Sequence, residues 1–391
     1  MANIFRVDLA GGKHRYCELN LPATDYELLD ALAKLQMQPG DQPRWEICQH
    51  SNNTGHLQIY LNDCTIYELN AFARKLGAMT SDQRGAFEGM LQMALDKREG
   101  PMCVADLFTY ANSTDSCHVL GAVHSDEQLG RFYAVNDFIP ELEDIPDFAC
   151  ERLDFAKIGK EMREGERGIF THYGYVLQSG ELIPDLTDHN VPPKTPEYTL
   201  RLLIARYPFE TGSDPEVTTT LDLPADMSEL VKAMEQVGAA SWEEVIFTVE
   251  DSAIPGFPED LYGNSFEELN DYAQTVKEIQ DSGELTKLKA ILSTKFCSNV
   301  QEAMDLAEQL DHFYLEQRMH DPVEIAEQEI RDYMPSNKVD ALLKNTNLYN
   351  YGMEVIREYG SKLTEYGLVT PDETQTLDQV ESAAPQMTVQ M

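Results

Sequence analysis

Cys48 with His50, and Cys117 with His118, bring together side chains that zinc or thiol chemistry uses. A zinc site gathers three or four such ligands, and neither pair has a second pair at ligand spacing, so both read as structural or surface residues. Gly11-Gly12-Lys13 lacks the upstream glycine and the following hydroxyl residue of a phosphate loop. No HExxH, CxxC or GxSxG pattern occurs. The stretch from Asp251 to Gly263 is rich in oxygen ligands and punctuated by glycine, but it does not follow the EF-hand order. Carboxylates are so frequent that any two would form a nominal acid/base couple. These residues predict a chain that is not an enzyme and needs neither cofactor nor metal.

The chemistry left is that of the carboxylates taken together. The 391 residues hold 68 Asp and Glu against 30 Lys and Arg, a formal net charge of −38. Phosphate recognition needs Lys and Arg, so direct nucleic-acid binding is not expected. Hydrophobic residues make up 42%, enough for folded cores rather than an acidic tail. Self-repulsion on this scale opposes a compact state. Solubility, a halophilic habit or a basic partner would each account for it. The acid is uneven: residues 1–100 hold 13 acids and 10 bases, 101–150 hold 9 and 1, and 301–350 hold 11 and 4. A halophile would be expected to be acidic throughout, so the unevenness argues against that reading. Met1 to Asp8 lacks the pattern of a signal peptide. No apolar stretch approaches the roughly 18 residues of a membrane helix. Seven cysteines without regular spacing read as reduced thiols. The expectation is a cytoplasmic protein with no membrane partner.

Helices must position these acids. From Val300 to Tyr314 the period predicts a helix with Ala303, Met304, Ala307, Leu310 and Tyr314 on one face. Glu302, Asp305 and Glu308 fall on the other. No Lys or Arg occurs between Lys295 and Arg318, and Asp321, Glu324, Glu327 and Glu329 follow before Arg331. Between Arg131 and Arg152 the run Asp137, Glu141, Glu143, Asp144 and Asp147 is likewise free of bases. Ordinary exposed helix faces mix charges, because like charges four apart are unfavourable. Acids at every third helical position lie about 4.5 Å apart along the axis, given a rise of about 1.5 Å per residue. DNA carries about one charge per 1.7 Å, so neighbouring acidic helices reach a similar order of density. These twelve residues are the candidate surface.

The chain also repeats itself at an offset near 200. Leu19-Asn20-Leu21-Pro22-Ala23 recurs as Leu221-Asp222-Leu223-Pro224-Ala225, each leading into a capping box, Thr24 with Glu27 and Asp226 with Glu229. Trp45-Glu46-Ile47 aligns with Phe247-Thr248-Val249. Thr65 to Asn70 aligns with Ser265 to Asn270, Ala86–Leu91 more loosely with Lys287–Leu292, Val104–Asp115 with Val300–Asp311, and Thr171–Val176 with Thr364–Val369. Six matches in one order predict a duplication. The expected organisation is a first copy over 1–185, a Pro-rich linker over 186–197, a second copy over 198–370 and an acidic, disordered tail over 371–391. The fold class is α+β: small antiparallel sheets with a helix-rich middle in each copy, forming an elongated acidic molecule.

The segment Leu153-Asp154-Phe155-Ala156-Lys157-Ile158-Gly159-Lys160-Glu161-Met162, followed by Gly168-Ile169-Phe170, resembles the ArdA-type antirestriction proteins of mobile genetic elements. Tyr349-Asn350-Tyr351-Gly352 is a worn second version, and Trp45-Glu46-Ile47 and Glu68-Leu69-Asn70 are further shared elements. The opening strand departs from the family, keeping only Gly11-Gly12 and Tyr16. The resemblance implies DNA mimicry by elongated dimers that fill the DNA channel of type I restriction-modification enzymes. The expected partner is thus such an enzyme or another basic DNA-binding protein, met by a homodimer or by a pseudo-dimeric monomer. The alternatives are an acidic adaptor of a mobile element or phage, and an inhibitor of a different defence nuclease.

Overall fold

The computed structural model describes residues 3–12, 15–50, 54–97, 101–136, 138–142, 152–207, 217–256, 264–295, 297 and 299–377. The fold is mixed α+β, about 50% helical, with 14 helices and four three-stranded antiparallel sheets among the described residues. The chain forms two compact units. One holds the described residues of 1–7, 20–23 and 45–192; the other holds those of 8–19, 24–44 and 193–391. The units do not follow chain order, since the early helix Asp25–Leu35 belongs with the late residues.

Two kinds of sheet alternate along the sequence. In the first sheet Phe5–Gly11 lies between Arg15–Leu21 and Arg44–His50, and in the third Leu200–Arg206 lies between Thr218–Leu223 and Val245–Ser252. In the second, Gly174–Gln178 lies between Cys117–Leu120 and Ile169–Thr171. In the fourth, Gly367–Pro371 lies between Phe313–Glu316 and Lys362–Thr364. Strand formation follows period two: Leu200, Leu202 and Ile204 are buried, and cross-strand Leu221, Leu223 and Phe247 meet them in one core.

Helix starts are set by local chemistry. The hydroxyls of Thr24, Thr65 and Ser265 and the carboxylate of Asp226 each accept from the third helical amide, while Glu27, Glu68, Glu268 and Glu229 reach back to the cap amide. The helices then bury stripes at helical spacing, as with Leu269, Tyr272, Ala273 and Val276. Asn70 Oδ1 accepts from the Ala23 amide at 2.7 Å, and Asn270 Oδ1 accepts from the Ala225 amide at 2.7 Å. The two Leu-Pro bonds before these alanines are both cis. The Trp45 indole donates to the Cys64 carbonyl at 3.1 Å, and the Trp242 indole donates to the Asn264 carbonyl at 3.2 Å. Trp45 and Phe247 both lie in strands, as expected, while Trp242 makes in the later stretch the kind of indole bond that Trp45 makes in the earlier one. Register placed Phe247 in the strand, where its ring packs inward.

The helix expected over Val300–Tyr314 is shorter. It ends at Ala307, a turn covers Leu310–His312, and Phe313–Glu316 is a strand. The reason is a change of period at Phe313, which is buried while Tyr314 points outward at 66% exposure. Val104–Asn112, the turn Thr114–Ser116 and strand Cys117–Leu120 follow the same plan. Both final hairpins turn on a threonine and a glycine. Thr171 Oγ1 donates to the Gly174 carbonyl and Thr364 Oγ1 to the Gly367 carbonyl, at 3.0 and 2.8 Å. Gly174 and Gly367 have φ of +121° and +133°, which favours glycine, and a Cβ there would strike the carbonyl of Leu120 or Glu316.

Within 186–197 the described chain has no regular element but is anchored: His189 stacks on Phe108 at 3.7 Å and pairs with Asp185 at 3.0 Å. Burial acts to raise the Asp185 carboxyl, but the Thr187 amide and His189 outweigh it and hold it at about 2. Of the expected 371–391 tail, Leu377 is buried and Asp372 bonds His312 Nδ1 at 2.7 Å. Residues 378–391 lie outside the described residues. No helix among the described residues is long and apolar enough to cross a membrane.

Candidate functional site

Eight of the twelve candidate carboxylates can be placed; Asp137, Glu143, Asp144 and Asp147 lie outside the described residues. Glu141 is exposed in the short turn Pro140–Leu142. Glu302, Asp305 and Glu308 are exposed at the helix Val300–Ala307 and its C-terminal cap, opposite buried Val300, Ala303, Leu306 and Ala307. Asp305 accepts a hydrogen bond from Gln301 at 2.8 Å, and neither Asp305 nor Glu308 forms an ion pair among the described residues. This helix presents the acidic face that the sequence predicts, over a shorter span.

Asp321, Glu324, Glu327 and Glu329 are half-buried and serve the fold as well. Asp321 caps the helix Pro322–Tyr333 through the Val323 amide at 2.7 Å. Glu324 accepts from the His320 amide at 3.2 Å, and Glu327 lies 3.6 Å from Arg331. Glu329 faces the helix Leu348–Glu358, the second one after its own in the chain, and accepts from the Tyr359 hydroxyl at 3.2 Å. The two helices touch backbone to backbone: a Cβ on Gly352 would lie 1.8 Å from the Pro322 carbonyl oxygen.

This close contact concentrates charge that the sequence reading missed. Glu354 and Glu358 are exposed on the second helix, one turn apart. Glu329 and Glu358 act on both Tyr351 and Tyr359, and Glu354 on Tyr351. The Tyr359 hydroxyl is pushed up by Glu329 first, then by burial and Glu358. Burial and then Glu329, Glu358 and Glu354 push up Tyr351. The i, i+4 spacing of Glu354 and Glu358 was visible in the sequence; their convergence on Glu329 depended on the glycine contact. A cleft of about 370 Å³ beside them is lined by Glu316, Glu329 and Asp332 as well as Arg318.

The first unit holds a matching helix pair, Asp126–Val135 and Phe155–Glu166. Here too backbones meet, since a Cβ on Gly159 would lie 1.8 Å from the Asp126 carbonyl oxygen. Asp154, in the segment that resembles the antirestriction family, caps the second helix through the Lys157 amide at 3.0 Å. Its carboxylates are more engaged. Asp126 takes a two-pronged bond from Arg163 at 2.8 and 3.1 Å, and Glu166 accepts from Tyr133 and Tyr175 at 2.7 and 2.9 Å.

The Cys and His pairs take structural places. Cys48 Sγ donates to the Arg6 carbonyl, and the His50 ring sits edge-on to Phe5. Cys117 and His118 are successive strand residues, which point to opposite faces. Among the described residues no group of three His, Cys, Asp or Glu side chains is placed to hold a metal ion. Asp251, at the head of the oxygen-rich stretch, is buried and accepts from Thr24 and Tyr198, both at 2.7 Å. Residues 257–263 of that stretch lie outside the described residues.

No model of a known protein family matches the chain. No curated protein matches it either.

Proposed function

We propose that the protein is a non-enzymatic antirestriction protein of the ArdA type. On this reading its carboxylates stand in for DNA phosphates and occupy the DNA channel of a type I restriction-modification enzyme. The observation that carries the reading is the acidic helical face of the second unit. Glu302, Asp305 and Glu308 project from one helix, and Glu354 and Glu358 project from another beside Glu329. Rigid helices hold these charges in place, so little side-chain freedom beyond their own rotamers is lost on binding. Duplication of one ancestral module accounts for the paired features: two asparagine brackets on alanine amides, two indole anchors, two threonine-glycine hairpins and two helix pairs in glycine contact. Two such modules in one chain would supply what a homodimer supplies. An acidic adaptor of a mobile element or phage would use the same surface against a different basic protein, and an inhibitor of another defence nuclease would do likewise.

The test is competition with duplex DNA for a type I restriction enzyme at two salt concentrations. Competitive inhibition that weakens steeply with salt is expected. Exposed ion pairs are worth about 0.2–1 kcal/mol each, so any one of Glu302→Gln, Asp305→Asn or Glu308→Gln should cost no more than about fivefold. The triple variant should cost about threefold to a hundredfold if the effects add. Failure to displace DNA at either salt concentration would sink the reading.

A further inference from the structure

The first unit carries a cleft whose charge runs against the composition. Its volume is about 630 Å³, within the usual range for small-molecule sites, and Arg74, Lys75, Asn112, Asp115 and His189 contribute its polar lining. Ala71, Ala78, Met79 and Ala111 supply apolar surface. Two permanent cations thus face one carboxylate, in a chain with 68 acids and 30 bases.

The cations are held in place without being neutralised. Arg74 Nη2 donates to the Ala23 carbonyl at 2.9 Å, which leaves most of its five N–H donors for other partners. Lys75 Nζ donates to Asn112 Oδ1, which fixes it at the mouth of the helix Val104–Asn112. Neither side chain pairs with a carboxylate among the described residues. His189 lies flat on Phe108, so the wall it forms is rigid. Lys75 also complements the C-terminal turn of the helix Ile66–Ala78. That accounts for one charge, but not for Arg74 or for the apolar residues that line the cleft beside both.

We infer that this cleft binds a small organic anion through a phosphate or carboxylate group, with Arg74 and Lys75 as the recognising cations. The site is independent of the DNA-mimic reading, because it uses the opposite charge and lies in the first unit.

Calorimetric titration of the full chain with AMP, inorganic phosphate and citrate, at matched ionic strength, tests it. Saturable binding of at least one probe, one per chain, is expected. AMP and phosphate binding without citrate would assign phosphate; citrate alone would assign carboxylates. Hydrogen bonds to charged groups are strong enough that Lys75→Gln should weaken binding by about tenfold or more. Asp115→Asn, at an exposed position where folding is not at risk, should tighten it several-fold by removing a like charge. Lys338→Gln, in the second unit, should change nothing. Absence of saturable binding for all three probes overturns the inference, as does an affinity indifferent to both Lys75→Gln and Asp115→Asn.

Discussion

Asp30→Asn should be among the most damaging single-atom changes in the second unit. Asp30 is 5% exposed and receives Lys289 Nζ at 2.7 Å, the Tyr366 hydroxyl at 2.9 Å and Lys34 Nζ at 3.3 Å. Lys289 is itself 6% exposed. Burial lowers its pKa from the usual 10.5, with Asp30 acting the other way. The amide keeps the shape and an acceptor for Tyr366 but removes the charge. Lys289 must then remain charged without a counter-ion or lose its proton. Losing the proton costs about 1.36 kcal/mol for each pH unit below 10.5, about 5 kcal/mol at pH 7 and about 2 kcal/mol at pH 9. Those values are ceilings, and breaking a buried pair is typically worth about 3–5 kcal/mol. The sign follows from linkage. Where the folded pKa of Lys289 lies below 10.5, the unfolded chain binds more protons across that interval, so stability rises with pH up to 10.5. Asp30→Asn depresses the folded pKa further and widens the interval. Urea unfolding in a Trp45→Phe background, followed by Trp242 in the same unit, should show a loss of about 3–5 kcal/mol at pH 7 and no more than about 2 kcal/mol at pH 9. Asp30→Asn with Lys289→Met should recover most of it. An equal loss at both pH values, or a loss under about 1 kcal/mol at pH 7, would refute the charge argument.

Two further outcomes follow from the helix pairs. Gly159→Ala and Gly352→Ala each place a methyl group about 1.8 Å from a facing carbonyl oxygen, so the helices must part. Each should lower stability by about 1–3 kcal/mol in urea unfolding, and a neutral result would show that the helices are not in backbone contact. Glu329→Gln removes the group that acts most on the Tyr359 hydroxyl. Its titration, followed by NMR of labelled tyrosine, should move down toward the ordinary value, while an unmoved titration would show that Glu329 does not face it.

Much of the local structure was legible in the sequence because it is set by neighbours within four residues. The capping residues Thr24, Thr65, Asp226 and Ser265 open helices where a hydroxyl or carboxylate precedes a Glu at the third position. The exposed face of Glu302, Asp305 and Glu308 follows from helical period alone. The helix end at Ala307 was not legible, since Leu310 and Tyr314 also fit a helical period; pairing of Phe313–Glu316 with Gly367–Pro371 decided it. Trp242 escaped notice because its equivalence to Trp45 lies in a hydrogen bond to a distant carbonyl rather than in its position along a strand.

The sequence by itself determined the excess of carboxylates, the mixed α+β class and the starts of the capped helices after Thr24, Thr65, Asp226 and Ser265. These depend on composition and short-range spacing, which folding does not alter. Only the tertiary structure decided which of the other carboxylates are drawn into the fold. Glu302, Asp305 and Glu308 face outward, whereas Asp30 lies buried between two lysines and a tyrosine, and Glu329 is drawn toward Glu354 and Glu358 by a contact that only glycine at position 352 permits. The same side chain is a surface charge or a buried anchor according to what long-range packing sets beside it. Pairs such as Asp30 with Lys289 and Tyr366 are too far apart in the chain for any local pattern to reveal.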